Sequence, residues 1–270
     1  MSRLCLIATL SVLIANSAFA QQTSVDTLYT GLKKATSFTV GNDAIYIVEA
    51  GAHRVLKLGI DGNLIEKYGN RGSGNYQFDS PMDIATTNGL KLFVSDSGNN
   101  RIQVFDKRWQ YLSSIKANEQ FETTSEITPT YVGVNKFGEV IFYNDGTRSL
   151  GKYNEDGAIL DQIPLPDEVK EVSGLQVING SIFVLDTKSE LVHKISENGF
   201  YESFFKAEKG TAFYYLDENL FLSVNDGLYQ YGREGVEKIK LDDGIKIKDL
   251  LVIEDEIYIL TEKSLLKLRR

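Results

Sequence analysis

Cysteine is almost missing from this chain. Cys5 is the only one in 270 residues, which excludes an intramolecular disulfide framework and a thiolate-held zinc centre. Two histidines, His53 and His193, leave little scope for histidine-based catalysis or a histidine-rich metal site. No apolar run after the N-terminal segment is long enough to span a bilayer. Cations are the minority charge: 29 Lys and Arg stand against 37 Asp and Glu, a net −8 with an isoelectric point near 5.0. Such a field repels polyphosphate and argues against nucleic acid as a partner. No Ser sits in a Gly-x-Ser-x-Gly elbow, and no twelve-residue EF-hand loop occurs.

What is present begins with a leader-like segment. Arg3 precedes an apolar stretch from Leu4 to Ile14, and Ala18-Phe19-Ala20 has the small-x-small form that signal peptidase cuts. The expected organisation is a cleaved signal peptide, residues 1–20, followed by one domain, residues 21–270. Cleavage removes Arg3 and Cys5, leaving 28 cations against 37 acids, a net −9. A cysteine-free mature chain suits a secreted or periplasmic location.

Six short apolar strands recur along the chain: Ile45–Glu49, Leu92–Asp96, Ile141–Asn144, Ile182–Asp186, Leu220–Val224 and Ile257–Thr261. Their last residues lie 47, 48, 42, 38 and 37 positions apart. Each interval holds four strand-like stretches separated by Gly, Asn and Asp turn signals, as in Met82–Thr86, Lys91–Ser95, Arg101–Phe105 and Tyr111–Ile115. Four-stranded units of roughly 40–45 residues have the period of propeller blades. The expected fold is all-β, a six-bladed β-propeller with four antiparallel strands per blade. The last blade has only three strands before the chain stops, so the segment Val25–Thr30 is expected to pair with it and close the ring.

The residues Gly72-Ser-Gly-Asn-Tyr-Gln-Phe78-Asp-Ser-Pro81-Met-Asp-Ile-Ala, followed by Val94-Ser-Asp96-Ser-Gly-Asn-Asn-Arg101-Ile-Gln-Val-Phe105-Asp, closely resemble an NHL repeat. Val48-Glu49-Ala-Gly-Ala-His-Arg54-Val55 matches more loosely, and Ser149 and Leu191 replace the arginine in blades three and four. The resemblance implies a propeller that serves either as a noncatalytic scaffold or, in a few members, as a lyase.

Several motifs have a structural account. Gly69–Gly74 reads as a connection between blades rather than a phosphate cradle, with Phe78 packing behind it. Glu49 with Arg54 and Asp96 with Arg101 read as ion pairs that fix a turn. Asn179-Gly180-Ser181 fits the N-glycosylation pattern, but a tight hairpin turn is the simpler account. His53 falls at a turn end and His193 inside a strand, so they cannot share one ring of zinc ligands.

The expected function is therefore a noncatalytic exported scaffold, monomeric and without a cofactor, that binds a protein, peptide or glycan at the cell envelope. The alternative is a lyase or hydrolase working through carboxylates, with calcium as its possible ion. A deep central pocket lined by converging acids distinguishes the second from a shallow loop-lined face. The expected partner surface groups Arg71, Asn75 and Tyr76 in the connection into blade two with Asn100, Arg101 and Arg148 in the neighbouring turns. The competing account assigns Arg101 to Asp96 and Tyr76 to packing between blades.

Overall fold

A computed structural model describes residues 24–87, 89–116, 128–154, 156–225, 227–242 and 244–269. The expected signal peptide and much of the polar connection at 116–130 lie outside these residues.

The chain forms six four-stranded antiparallel sheets. In blade one the strands run outward from Ala35–Val40 through Ala44–Glu49 and Arg54–Gly59 to Leu64–Tyr68. Blades two to five repeat this order, beginning at Pro81, Pro129, Val172 and Gly210. The second strand of each blade is sandwiched on both sides. Ala44–Glu49 is buried at every position, which is why it reads as continuous Ile, Val and Tyr rather than as an alternation. The outer strand Leu64–Tyr68 is exposed along most of its length. Pro81 and Pro129 open first strands and Pro164 ends an outer one, positions where a missing N–H does no harm to a sheet interior.

The core is divided among the joints between blades. Six buried clusters each draw on two neighbouring blades, so every blade is held from both sides and none is held from a central hub. Phe78 is fully buried at the joint of blades one and two, among Tyr46, Val48, Val94 and Phe105. At the same joint the ring of Trp109 stacks between Phe105 at 4.3 Å and Tyr68 at 4.4 Å. Asn179 and Gly180 have φ of 52° and 79°, the left-handed pair that a two-residue hairpin turn requires.

Ring closure is as the sequence leads one to expect. Ser24–Thr30 pairs antiparallel with Ser264–Arg269 and is the outermost strand of blade six. Val25 packs at the joint of blades five and six, and Leu28 and Tyr29 at the joint of six and one. Deleting residues 24–30 would expose these contacts and the ladder beside them. The expected loss is on the order of 3–5 kcal/mol, read as a melting temperature lower by about 10 °C. An unchanged melting temperature would show that closure does not stabilise the ring.

Candidate functional site

A propeller strand order places the turns between second and third strands on the same face as the connections between blades. Bonds across that face bear this out: the Gly51 N–H donates to Lys33 O at 3.1 Å and the Gly98 N–H to Asp79 O at 2.8 Å. This is the loop face.

On it, Arg101 is buried. Its Nε donates to Asp96 Oδ2 at 2.9 Å, and one terminal nitrogen donates to the carbonyls of Gly74 and Gln77, both at 2.9 Å. Arg54 pairs with Glu49 in the corresponding place. Arg101 is thus a clamp on the incoming connection and does not present its charge to a partner. Tyr76 also departs from the expected surface. Its N–H donates to Gln103 Oε1, its ring leans on Phe105 and Tyr111, and its hydroxyl accepts from the Tyr111 N–H at 2.9 Å. Tyr111 begins the outer strand of blade two at the opposite end. The side chain therefore runs down the flank of the blade, away from Asn100. Asn100 is half-buried in a left-handed turn (φ 51°) and accepts from the Thr128 hydroxyl at 3.4 Å. Arg71, Asn75 and Arg148 are exposed. Arg71 lies 3.8 Å from Asp79, and Arg148 donates to the carbonyls of Val169 and Lys170. Of the six residues, four are exposed, Tyr76 along the flank of blade two and Arg71, Asn75 and Arg148 beside the loops, and the positive charge of the two arginines is partly answered.

The histidines sit apart as expected. His53 ends a turn of blade one, where its Nδ1 accepts from the Ser80 N–H at 3.2 Å, 3.5 Å from Asp79. His193 is fully buried in the third strand of blade four, between Asp186 and Ser189 on one side and the Tyr201 hydroxyl on the other. Burial pushes its pKa below the usual histidine value. Among the described residues no group of three or more His, Cys, Asp and Glu converges to hold a metal ion.

Sequence reasoning missed the site on the axis. A cavity of about 430 Å³ is lined by one residue at the same level of each first strand: Ser37, Asp83, Tyr131, Gly174, Ala212 and Asp249. Blades six, one, two and three supply its polar arc, and blades four and five its apolar arc, with Leu175 and Phe213 behind. Register shifts at Ala35/Ser37 and Pro81/Asp83 turn these side chains toward the axis. The Ser37 hydroxyl donates to Asp83 Oδ1, joining blade one to blade two. Asp83 also accepts from the N–H of Ile84 and of Val132 in blade three, both at 2.8 Å. Asp249 accepts from the N–H of Phe38 in blade one at 3.1 Å and from that of Leu250 at 2.8 Å.

Burial raises both carboxyls, Asp83 to about 6 and Asp249 to about 7, and the charge of Asp83 raises Asp249 further. Burial and these same acids push the Tyr131 phenol up to about 12. The pair is therefore a protonatable node at the level of the inner ring, with Lys34, Lys248 and Glu262 also lining the cavity. The signal was present in the sequence: Ser37, Asp83 and Asp249 occupy one position of the aligned first strands.

A family model for the NHL repeat matches residues 78–105. Blade two carries an NHL repeat. That stretch holds Phe78, Asp96 and Arg101, the aromatic wedge and the ion pair described above, and the whole is an NHL-like six-bladed propeller. Human NHL repeat-containing protein 3 is 36% identical over 66 residues, which cover 23% of this chain and 19% of that protein, so the match spans about a fifth of the relative's length. A gluconolactonase from Xanthomonas campestris superposes with a TM-score of 0.69 at 13% identity, over 92% of this chain and 90% of that one. A catalytically inactive virginiamycin B lyase from Staphylococcus aureus, solved with quinupristin, gives 0.66 at 11% identity, over 92% and 100%. At such identities the likeness is one of fold.

Two outcomes are expected. An axial acid with a raised pKa stabilises the fold while protonated, and that contribution is lost as pH rises from about 4 to about 7. Asp249→Asn should therefore gain stability relative to the parent as pH rises from about 5 to 8 in thermal melts. A gap between the two that does not change with pH would place the titration elsewhere. Separately, Arg101→Ala leaves Asp96 buried without its cation and should cost about 3–5 kcal/mol. Arg71→Ala, at an exposed site, should stay within about 0.5 kcal/mol in the same denaturant titration.

Proposed function

We propose that the protein is an exported, noncatalytic binding propeller that holds a partner protein, peptide or glycan at the cell envelope through its loop face. One observation carries the noncatalytic part. Both oxygens of Asp83 and both oxygens of Asp249 already accept hydrogen bonds from the protein, chiefly from backbone N–H groups of the inner strands. A general base or nucleophile needs a lone pair directed at substrate. Three of the acceptor sites of Asp83 and two of those of Asp249 are engaged in this way, and that engagement holds neighbouring blades in register. Export is supported by the leader-like residues 3–20 and by the absence of cysteine from the rest of the chain. Binding through the loop face is supported by the usual division of labour between a rigid scaffold and its loops.

The acid pair in the axial cavity favours a second reading, a hydrolase or lyase that uses Asp83 and Asp249 as an acid–base couple. The two readings separate in one comparison. The mature protein and its Asp83→Asn/Asp249→Asn variant are assayed against ester, lactone, peptide and glycan substrates. The expected result is no turnover above buffer by either protein. Turnover by the parent that the double variant loses would establish the enzyme and end the scaffold reading. Fractionation of the expressing cell should place the processed chain outside the cytoplasm, and an unprocessed cytoplasmic chain would contradict export.

A further inference from the structure

The loop face carries a second feature, over blades five, six and one. A groove of about 1090 Å³ lies between blades five and six, and a hollow of about 730 Å³ lies over the joint of six and one. The two share Glu262, Lys263 and Ser264, and both reach the mouth of the axial cavity, through Lys248 in one and Lys34 in the other. They form one trench. The backbone fixes its floor: the N–H groups of Leu32 and Ala35 donate to the carbonyls of Lys263 and Glu262, and that of Lys248 to Leu260.

Among the described residues five lysines line this trench, Lys33, Lys34, Lys246, Lys248 and Lys263, against two acids, Asp242 and Glu262. One acid is already answered, since Lys248 Nζ lies 3.1 Å from Glu262. Lys248, with Lys34 and Lys246 nearby, holds the Glu262 carboxyl below its usual value. The other four lysines are exposed on a chain whose net charge after leader removal is −9. Between the lysines the groove is mixed, with the aliphatic side chains of Val25, Val224, Ile245, Ile247 and Leu266 set among Thr27, Thr211, Ser223, Asn225 and Thr261. Among the described residues no aromatic ring lines either part to offer a nucleobase a stacking platform, and no arginine offers the forked recognition that suits phosphate.

We infer that this trench binds an extended acidic peptide segment whose carboxylates alternate with small aliphatic side chains. An extended chain turns successive side chains to opposite sides. Its aliphatic positions would enter the groove while its carboxylates meet the ring of lysines. The inference rests on the scaffold reading and moves its partner from the blade two–three sector to blades five, six and one.

The test uses the intact mature chain and a fluorescent peptide of alternating Glu and Val, with a Lys–Val peptide and an oligo(dT) strand as comparators. Saturable binding of the Glu–Val peptide is expected, weakening about tenfold or more as salt rises from roughly 0.05 to 0.5 M. Lys34→Glu/Lys246→Glu/Lys263→Glu should weaken it by about tenfold or more without moving the melting temperature. Should that triple variant fail to fold, Lys246→Gln and Lys263→Gln taken singly give the same reading at smaller effect. Arg71→Ala/Asn75→Ala/Arg148→Ala should bind as the parent does. No binding of the Glu–Val peptide, binding indifferent to the lysine variants, or equal or tighter binding of oligo(dT) each overturns the assignment. Such a result leaves the noncatalytic reading in place, because that reading depends on turnover by the axial acids and not on this peptide.

Discussion

In blades one to four the loop face depends on a polar acceptor at the end of the second strand. In blade one Glu49 accepts from the Lys33 N–H, in two Asp96 from Asp79, in three Asn144 from Thr128, and in four Asp186 from Lys170. In each case the donor belongs to the connection entering that blade. A short connection crossing a packed ring has backbone N–H groups with no strand to pair with, and leaving one buried and unmet costs about 1–3 kcal/mol. The acceptor meets that N–H and fixes the connection beside its own blade. In blades one and two, where the acceptor is acidic and buried, a cation answers it: Arg54 for Glu49 and Arg101 for Asp96. In blade four Asp186 accepts from four backbone N–H groups, and the bonds from Lys170, from the side chain and N–H of Ser189 and from Glu171 hold it at about 2 against the effect of burial.

Blades five and six handle the same problem differently. Val224 ends the second strand of blade five and Thr261 follows that of blade six, and their connections close on backbone carbonyls such as those of Ala207, Leu260 and Glu262. Side chains there are released from the stitching. Lys246 and Lys263 stand in the connection and the turn of this sector, with Lys34 beside them in the connection entering blade one, whereas in blade two the equivalent region commits Arg101 to holding the chain. The surface available to a partner is thus set by which blades need side chains to keep themselves closed.

The axial ring follows the same logic at the inner strands. Asp83 and Asp249 each reach across to the next blade's backbone, and Ser37 stands between them in blade one. This gives register between blades two, three, six and one in the place where an ungapped apolar wall would give only packing. The arrangement draws two carboxyls into a shared low-dielectric space, so their ionisation works against them as pH rises.

Blade count, strand order, ring closure and the two ion pairs were legible in the sequence because each is carried by local spacing. Asp96 and Arg101 are separated by a single turn, and a continuous apolar run of Ile, Val, Leu, Phe and Tyr marks each second strand without knowledge of its neighbours. The axial ring was hidden for the opposite reason. Ser37 and Asp83 are 46 residues apart, and Phe38 and Asp249 are 211 apart. Only a superposition of the blades correct to one residue, through the register shifts, brings them to one level. Tyr76 was misplaced because its connection does not stay on the face but follows the flank of blade two down to Tyr111. Blade six and the entry to blade one have the least family-like sequence, so their lysines belonged to no recognised motif.

Charge on the molecule is divided by face as well as by blade. Blade five presents Asp217, Glu218, Glu234 and Glu237 around a hollow on the face opposite the loops, with Arg233 paired to Glu218. The lysine-lined trench lies on the loop face of that blade and the two that follow. A chain of net −8 repels an acidic partner at long range, yet within about a Debye length, roughly 8–10 Å, the local lysines dominate. The opposite face then repels the same partner more strongly than the average charge does. An acidic segment approaching this ring is therefore turned toward the trench by repulsion from one face as much as by attraction to the other, and this selects orientation before any contact is made.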